Sequence, residues 1–228
     1  MNNLHYTSPE LMAMEQRERA NLINSITGFK ALALIGTVDL KGQTNLAIFN
    51  SLVHIGAHPP LLGFICRPDS VERHTLDNIQ KTGYYTINHV HKDFYQKAHQ
   101  TSARYNKDQS EFEATGLNAI YKHQFLAPFV NESNIQIGMH LKEEIVISSN
   151  NTIMIIGEMI HIEIPKSCLT LDGFLDIERA GTITVSGLDS YHTTTRISRL
   201  SYAKPDKEII EEPLIRWRRR PRGRRRSR

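Results

Sequence analysis

Arg67, Ser70, Arg73, His74 and Thr75 crowd the point where an apolar run ends and a helix is expected to begin. The helix reading runs from Ser70 to Thr82, with Gly83 as its terminator. A helix start presents free backbone N–H groups and the positive end of the helix dipole. Arginine forks two hydrogen bonds onto a phosphate, and threonine adds one. The cluster therefore has the chemistry of a phosphate site. An exposed basic turn, with Ser70 as a simple helix cap, fits the same residues.

Upstream, Asp39-Leu40-Lys41-Gly42 reads as a turn and Thr44 to Asn50 as the strand that returns from it. Asn45, Leu46 and Ala47 offer backbone groups, with close approach over the small Ala47 side chain. Asn50 and Ser51 offer side-chain donors. A flat ring with polar atoms along one edge needs both. An ordinary half-buried strand ended by Asn50-Ser51 is the alternative. Period-two geometry sends Asn45, Ala47 and Phe49 one way and Leu46, Ile48 and Asn50 the other. One strand cannot aim all of these side chains at one ligand, so some contacts must be backbone or pass through a bulge.

The elements that must hold these residues are mostly strands. Ala31 to Thr37 and Leu61 to Cys66 are apolar runs of strand length, and Tyr84 to Asn88 is β-rich. Leu141 to Ser148 and Thr152 to Ile164 form a hairpin around Ser149-Asn150-Asn151, and Thr182 to Ser186 is a last short strand. A helix opens at Ser8-Pro9-Glu10 and runs to about Ile26. His91 to Ser102 reads as a short helix, and Tyr105 to Phe112 as a polar loop. Six or seven strands without a βαβ rhythm predict a mainly β fold, a β-barrel with peripheral helices.

The 228 residues suit one domain, placed at residues 1–205. Residues 206–228 are polar and then Arg-rich. Residues 216–228 hold nine of the 28 Lys+Arg, which leaves 19 basic against 24 acidic groups elsewhere, a net −5. The body thus has no excess of positive charge for nucleic acid. The tail reads either as an arm for a polyanion, with Trp217 as a stacking group, or as an appendage foreign to the fold. No apolar run reaches the ~18 residues needed to cross a bilayer, and no signal peptide is visible, so a cytoplasmic location is expected. Cys66 and Cys168 form no C-x-x-C pair, and the eleven His carry no ligand spacing, so no metal is expected. Dinucleotide, P-loop, zincin and serine-hydrolase motifs are absent.

Several short motifs occur in a fixed order. They are Gly42-x-Thr44-Asn45-Leu46-Ala47-x-x-Asn50-Ser51, the Pro59-Pro60-Leu61 strand ending in Cys66-Arg67, Arg73-His74-Thr75-x-x-Asn78-Ile79, and Thr82-Gly83-x-x-Thr86-x-Asn88. Then come Asp108-x-x-Glu111-Phe112-x-x-x-Gly116-Leu117, Ile156-Gly157-Glu158 with Asp172-Gly173, and Gly187-Leu188-Asp189-Ser190-Tyr191. In this order the chain resembles the flavin-reductase-like FMN-binding family over most of residues 20–205. The resemblance implies a split barrel that dimerises, with FMN beside the subunit interface. It implies Asn45, Leu46, Ala47, Asn50 and Ser51 around the ring, and Arg67, Arg73 and Thr75 around the phosphate, with Cys66 and His74 also among the cofactor-binding residues. Ala98, Gln100, Thr101 and Ser102 would cover the cofactor. The implied activity is FMN-dependent electron transfer between a small donor such as NAD(P)H and flavin or another acceptor. An FMN-binding electron carrier, and a nucleic-acid-associated protein acting through the tail, are the alternatives.

Two departures stand out. Phe29-Lys30 occupies the place where many relatives carry Pro-Arg. The Gly187-Leu188-Asp189-Ser190-Tyr191-His192 stretch is looser than the compact Gly-Asp-His that such reductases use for nicotinamide, so FMN binding is implied more firmly than NAD(P)H oxidation. His192 is the candidate proton carrier; an exposed histidine at a strand end fits it equally.

Overall fold

The structure is a computed structural model that describes residues 3–68 and 73–215. In chain order its elements are α1 (Ser8–Ala13), α2 (Gln16–Ser25), β1 (Lys30–Ala31), β2 (Ala33–Val38), β3 (Thr44–Phe49), β4 (Val53–Ala57), β5 (Pro60–Cys66), α3 (His74–Thr82) and β6 (Tyr84–His89). There follow α4 (Tyr95–Gln100), α5 (Glu111–Thr115), β7 (Ala119–Ile120), β8 (Phe129–Val130), β9 (Gln136–Ile147), β10 (Thr152–Glu163), β11 (Thr184–Ser186) and β12 (Ser190–His192).

Seven strands form one antiparallel sheet in the order β3-β2-β6-β9-β10-β5-β4. A flat sheet of that size would hold its edges about 29 Å apart. Yet the two edge strands are consecutive, and the Asn50–Leu52 link between them reaches at most about 14 Å. The sheet must therefore roll up, with its seam between β3 and β4. Ser51 fastens the seam: its hydroxyl accepts the Ile65 N–H at 3.0 Å and donates to the Ile65 carbonyl at 3.2 Å. This is a split barrel, as the motif order implied.

Alternation along β2 and β3 builds two cores. Ala33 and Ile35 face the barrel interior with Phe64, Tyr85, Ile87, Met139 and Ile155, and Phe49 packs against them. Leu34 and Leu46 face outward onto Phe94 and Ala98 of the α4 region, Phe112 of α5 and Val185 of β11. α3 lies against β2 and β3 through Leu76 and Ile79, on the interior side. The C-terminal segment folds back along the body. Arg196 and Arg199 both lie on Phe174, and they pair with Asp176 at 2.6 Å and Asp172 at 2.8 Å.

Several expectations need correction. The single N-terminal helix is two, because the Glu15 carboxylate accepts the Arg17 and Glu18 N–H groups and starts a new helix. The helix expected over residues 91–102 is helical only at Tyr95–Gln100, after a turn in which the Phe94 N–H meets the His91 carbonyl. The loop ending at Phe112 already contains the start of α5. β9 begins at Gln136, five residues before the expected Leu141. β4, β7, β8 and β12 were not expected as strands; they are short, and β4 is broken by a register shift at His54/Gly56. The expected start of α3 at Ser70 lies outside the described residues, as do residues 216–228.

Inside the barrel the Tyr85 hydroxyl is fully buried and lacks a hydrogen-bond partner among the described residues. It stands against Gly157, where a Cβ would strike it. Tyr85→Phe should therefore stabilise the protein by about 1 kcal/mol, because an unpaired buried hydroxyl is removed. Gly157→Ala should cost about 1–3 kcal/mol by overpacking, and part of that cost should vanish when Tyr85→Phe is combined with it. Urea unfolding of the three variants checks this. Equal cost of Gly157→Ala in both backgrounds would show that the hydroxyl is not what fills the space.

Candidate functional site

β3 is a sheet edge, with β2 as its only hydrogen-bonded neighbour strand among the described residues. Its outer rim is flanked on the interior side by α3 and on the other by α4 and α5. Asn45 points toward α3. Its amide donates to the Thr75 hydroxyl at 2.9 Å and the Thr37 hydroxyl at 3.3 Å, and Asn78 donates to Thr37 at 3.1 Å. All four side chains are buried. This buried network fixes the height of α3 against β3, so the start of the helix stands beside Thr44 and Asn45.

Arg73 occupies the N-cap of α3 and places no side-chain cap on it. The start of a helix presents amides and a positive dipole end that suit an anion. The Thr75 hydroxyl accepts from Asn45, which leaves its own proton to donate. His74 lines one cleft with Thr44, Asn45 and Lys107. Arg73 donates to the Pro68 carbonyl at 3.4 Å, and Arg67, the residue before Pro68, is exposed. The donor set fits a phosphate. Ser70 lies outside the described residues.

The other end of β3 has a different chemistry. The Asn50 amide donates to the Gly187 carbonyl at 3.1 Å, which ties the β11–β12 turn over the seam. Ser51 is engaged by Ile65, and the Cys66 side chain points into the barrel core, where burial pushes its thiol up to about 12. Cys66 can therefore offer a ligand its backbone rather than a reactive sulfur. Ala47 is half-buried on the strand between the two ends.

The remaining candidates lie around this strand. Ala98 is buried under Leu46 in the outer core, and Thr101 turns its hydroxyl back to the Ala98 carbonyl at 2.7 Å. Gln100 and Ser102 are exposed, with Gln100 donating to the Tyr105 hydroxyl at 3.2 Å. His192 ends β12. Its Nε2 is 2.9 Å from the Ser186 hydroxyl and 3.2 Å from that of Ser190, and its ring meets Phe29 edge-on at 4.9 Å. Lys30 is turned away, donating to the Asn24 carbonyl at 3.1 Å, and burial pulls its ammonium below the ordinary lysine value.

Sequence reasoning missed two further groups. The Glu111 carboxylate accepts the Leu46 N–H at 2.9 Å, and the Ser110 and Thr44 hydroxyls meet at 2.7 Å. Tyr191 meets His99 Nδ1 at 2.6 Å, joining β12 to α4. Glu111 and Tyr191 stood within ordered motifs, but nothing local shows that residue 111 reaches residue 46.

Comparison with known proteins accords with this fold. The flavin reductase like domain family matches residues 29–173. A split-barrel protein of Shewanella frigidimarina, provisionally named a flavin reductase, is 47% identical; the match covers 88% of this chain and 100% of that one, with a TM-score of 0.85. Nitrilotriacetate monooxygenase component B of Bacillus cereus is 19% identical over 88% of this chain and 100% of its own, with a TM-score of 0.77. The 2-nitrobenzoate 2-nitroreductase of Pseudomonas fluorescens is 19% identical over 90% and 99%, with a TM-score of 0.75. The last two share the fold. This chain belongs to the flavin reductase like domain family and is an FMN-dependent oxidoreductase of that type.

Proposed function

We propose that FMN lies along the rim of β3, with its phosphate at the start of α3 and its ring toward Asn50. The observation that carries this reading is the start of α3, held beside the β3 rim by the Asn45–Thr75 hydrogen bond. Arg67, Arg73, His74 and Thr75 would hold the phosphate, by charge and by hydroxyl donation. Leu46 pairs with Gly36 across the ladder while its N–H goes to Glu111, so its amide faces outward. Strand periodicity turns the Ile48 N–H and C=O the same way. Those groups, with Asn50, would meet the polar edge of the ring. The half-buried Ala47 side chain lets the ring approach closely. Bound there, FMN supplies the redox chemistry. The protein binds it, orients one face toward a small donor such as NAD(P)H and shields the other. His192, held by two serine hydroxyls, is the proposed proton carrier.

Residues 1–205 are proposed as the flavin-binding unit, and no flavin contact is assigned to residues 206–228. Among the described residues no helix is long and apolar enough to cross a membrane. A cytoplasmic site of action is the reading that suits a donor such as NAD(P)H.

A homodimer is proposed as the working form. Val53 and Ile55 of β4, Val146 of β9, and Ile160 and Ile162 of β10 expose apolar side chains on strands within one run of the sheet. Such strands are commonly covered by a partner. Sedimentation equilibrium should give twice the chain mass. Val146→Lys combined with Ile162→Lys should shift the protein toward monomer, and a wild-type monomer with full FMN affinity would contradict the proposal.

Titration with FMN and riboflavin tests the site itself. Arg67→Ala should weaken FMN roughly ten- to a hundred-fold, as loss of a charged hydrogen bond predicts, and leave riboflavin nearly unchanged. Thr75→Ala should cost FMN less, since a neutral hydroxyl contributes about half as much. Asn50→Ala should weaken both flavins alike, because it frees the Gly187 turn at the ring end. Equal loss of both flavins in Arg67→Ala would remove Arg67 from the phosphate site.

A further inference from the structure

β11 and β12 have three residues each, and the two residues of β1 complete their sheet on one side. A ribbon that short is marginal by itself and takes its position from what ties it to the body. Its two faces carry different groups. Tyr191 stands opposite Val185 and packs with it on the outer core. His192 stands on the other face, where the Ser186 and Ser190 hydroxyls meet its Nε2 at 2.9 and 3.2 Å.

Two side-chain hydrogen bonds reach from this ribbon to the elements around β3. At the turn, the Asn50 amide donates to the Gly187 carbonyl at 3.1 Å. On β12, the Tyr191 hydroxyl meets Nδ1 of His99 at 2.6 Å, and its ring lies 5.3 Å from that of Tyr95. His99 follows Ala98 on α4, and Ala98 is buried with Leu46 of β3 in the outer core. A closed circuit results. It runs from Leu46 to Ala98, through His99 to Tyr191, along the ribbon to Gly187, and back through Asn50 to the end of β3. Packing on Val185 and Tyr95 calls for an aromatic ring at position 191 but not for a hydroxyl. The hydroxyl serves the circuit.

We propose that Tyr191 is a positioning residue of the flavin site: its hydroxyl, bonded to His99, fixes the β11–β12 ribbon against α4 and so sets where Asn50 and His192 stand at the ring end. The assignment rests on the placement of the flavin ring toward Asn50 given above. Tyr191 acts through the ribbon, by way of the Gly187 carbonyl on Asn50 and by way of His192, the next residue on the opposite face.

The test titrates full-length protein with FMN and with riboflavin and records the visible absorption of the bound flavin. It compares wild type with Tyr191→Phe, His99→Ala and Asn50→Ala, and with Tyr191→Phe combined with each of the other two. Tyr191→Phe keeps the ring on Val185 and Tyr95 and removes the hydroxyl alone. Both flavins should then bind about three- to tenfold more weakly, the scale of one neutral hydrogen bond. The flavin absorption should shift in the direction seen in Asn50→Ala. Tyr191→Phe should add nothing to His99→Ala, since the two share one bond. It should add less than its own loss to Asn50→Ala, since the turn is then already free. Should His99→Ala fail to fold, Tyr191→Phe and its combination with Asn50→Ala decide. Wild-type affinity for both flavins in Tyr191→Phe, beside weakened binding in Asn50→Ala, would overturn the proposal and leave Tyr191 as packing. Full additivity of Tyr191→Phe with Asn50→Ala would overturn it too, as would weakened binding of FMN alone, which belongs to the phosphate end. If Asn50→Ala bound both flavins as wild type does, the ring reading itself would fall and the proposal with it, an outcome read from a different variant.

Discussion

The rim of β3 must be covered without being paired. An open strand edge invites another strand, and pairing would bury the backbone groups that a planar ligand could use. This chain covers the rim with the N-terminal end of α3, with side chains from the turn into α5, and with the β11–β12 turn tied down by Asn50. Each reaches the strand through side chains: Asn45 to Thr75, Leu46 to Glu111, Thr44 to Ser110, Asn50 to Gly187. The rim is thereby fixed in place while its face stays accessible.

Rolling the sheet supplies the other half of the arrangement. The short Asn50–Leu52 link forces the two edges of the seven-stranded sheet together, and Ser51 stitches them at Ile65. The end of β5 thus stands beside the end of β3, and Arg67 follows directly. Residues far apart in the chain meet because one seam, one helix start and one turn converge. Buried polar groups at that convergence are satisfied by one another; Thr37 alone accepts from both Asn45 and Asn78. Networks of this kind cost little when complete and define one geometry.

Much of this was legible beforehand. Motif order gave the split barrel, and alternation along residues 44–50 correctly separated the Asn45 face from the Leu46 face. Strong local signals also held: Gly83 ends α3 in a left-handed conformation, as a glycine after a helix should. What stayed hidden was non-local or very short. β12 has three residues and no periodicity to read. β4 is interrupted by a register shift, which breaks the alternation that marks a strand. The contacts of Glu111 with Leu46 and of Asn50 with Gly187 span 65 and 137 residues, and nothing in local chemistry encodes them. The N-terminal helix was misjudged because Glu15, a good helix former by propensity, acts here as a cap.

We propose that the β3 rim and the start of α3 together form the flavin groove. Amide hydrogen exchange with and without FMN tests it most directly, since it reports backbone cover independently of turnover. Slower exchange on FMN addition is expected in peptides spanning residues 44–52, 73–77 and 98–102, with little change in residues 193–215. Protection confined to residues outside β3 and α3, with the 44–52 peptide unaffected, would contradict it.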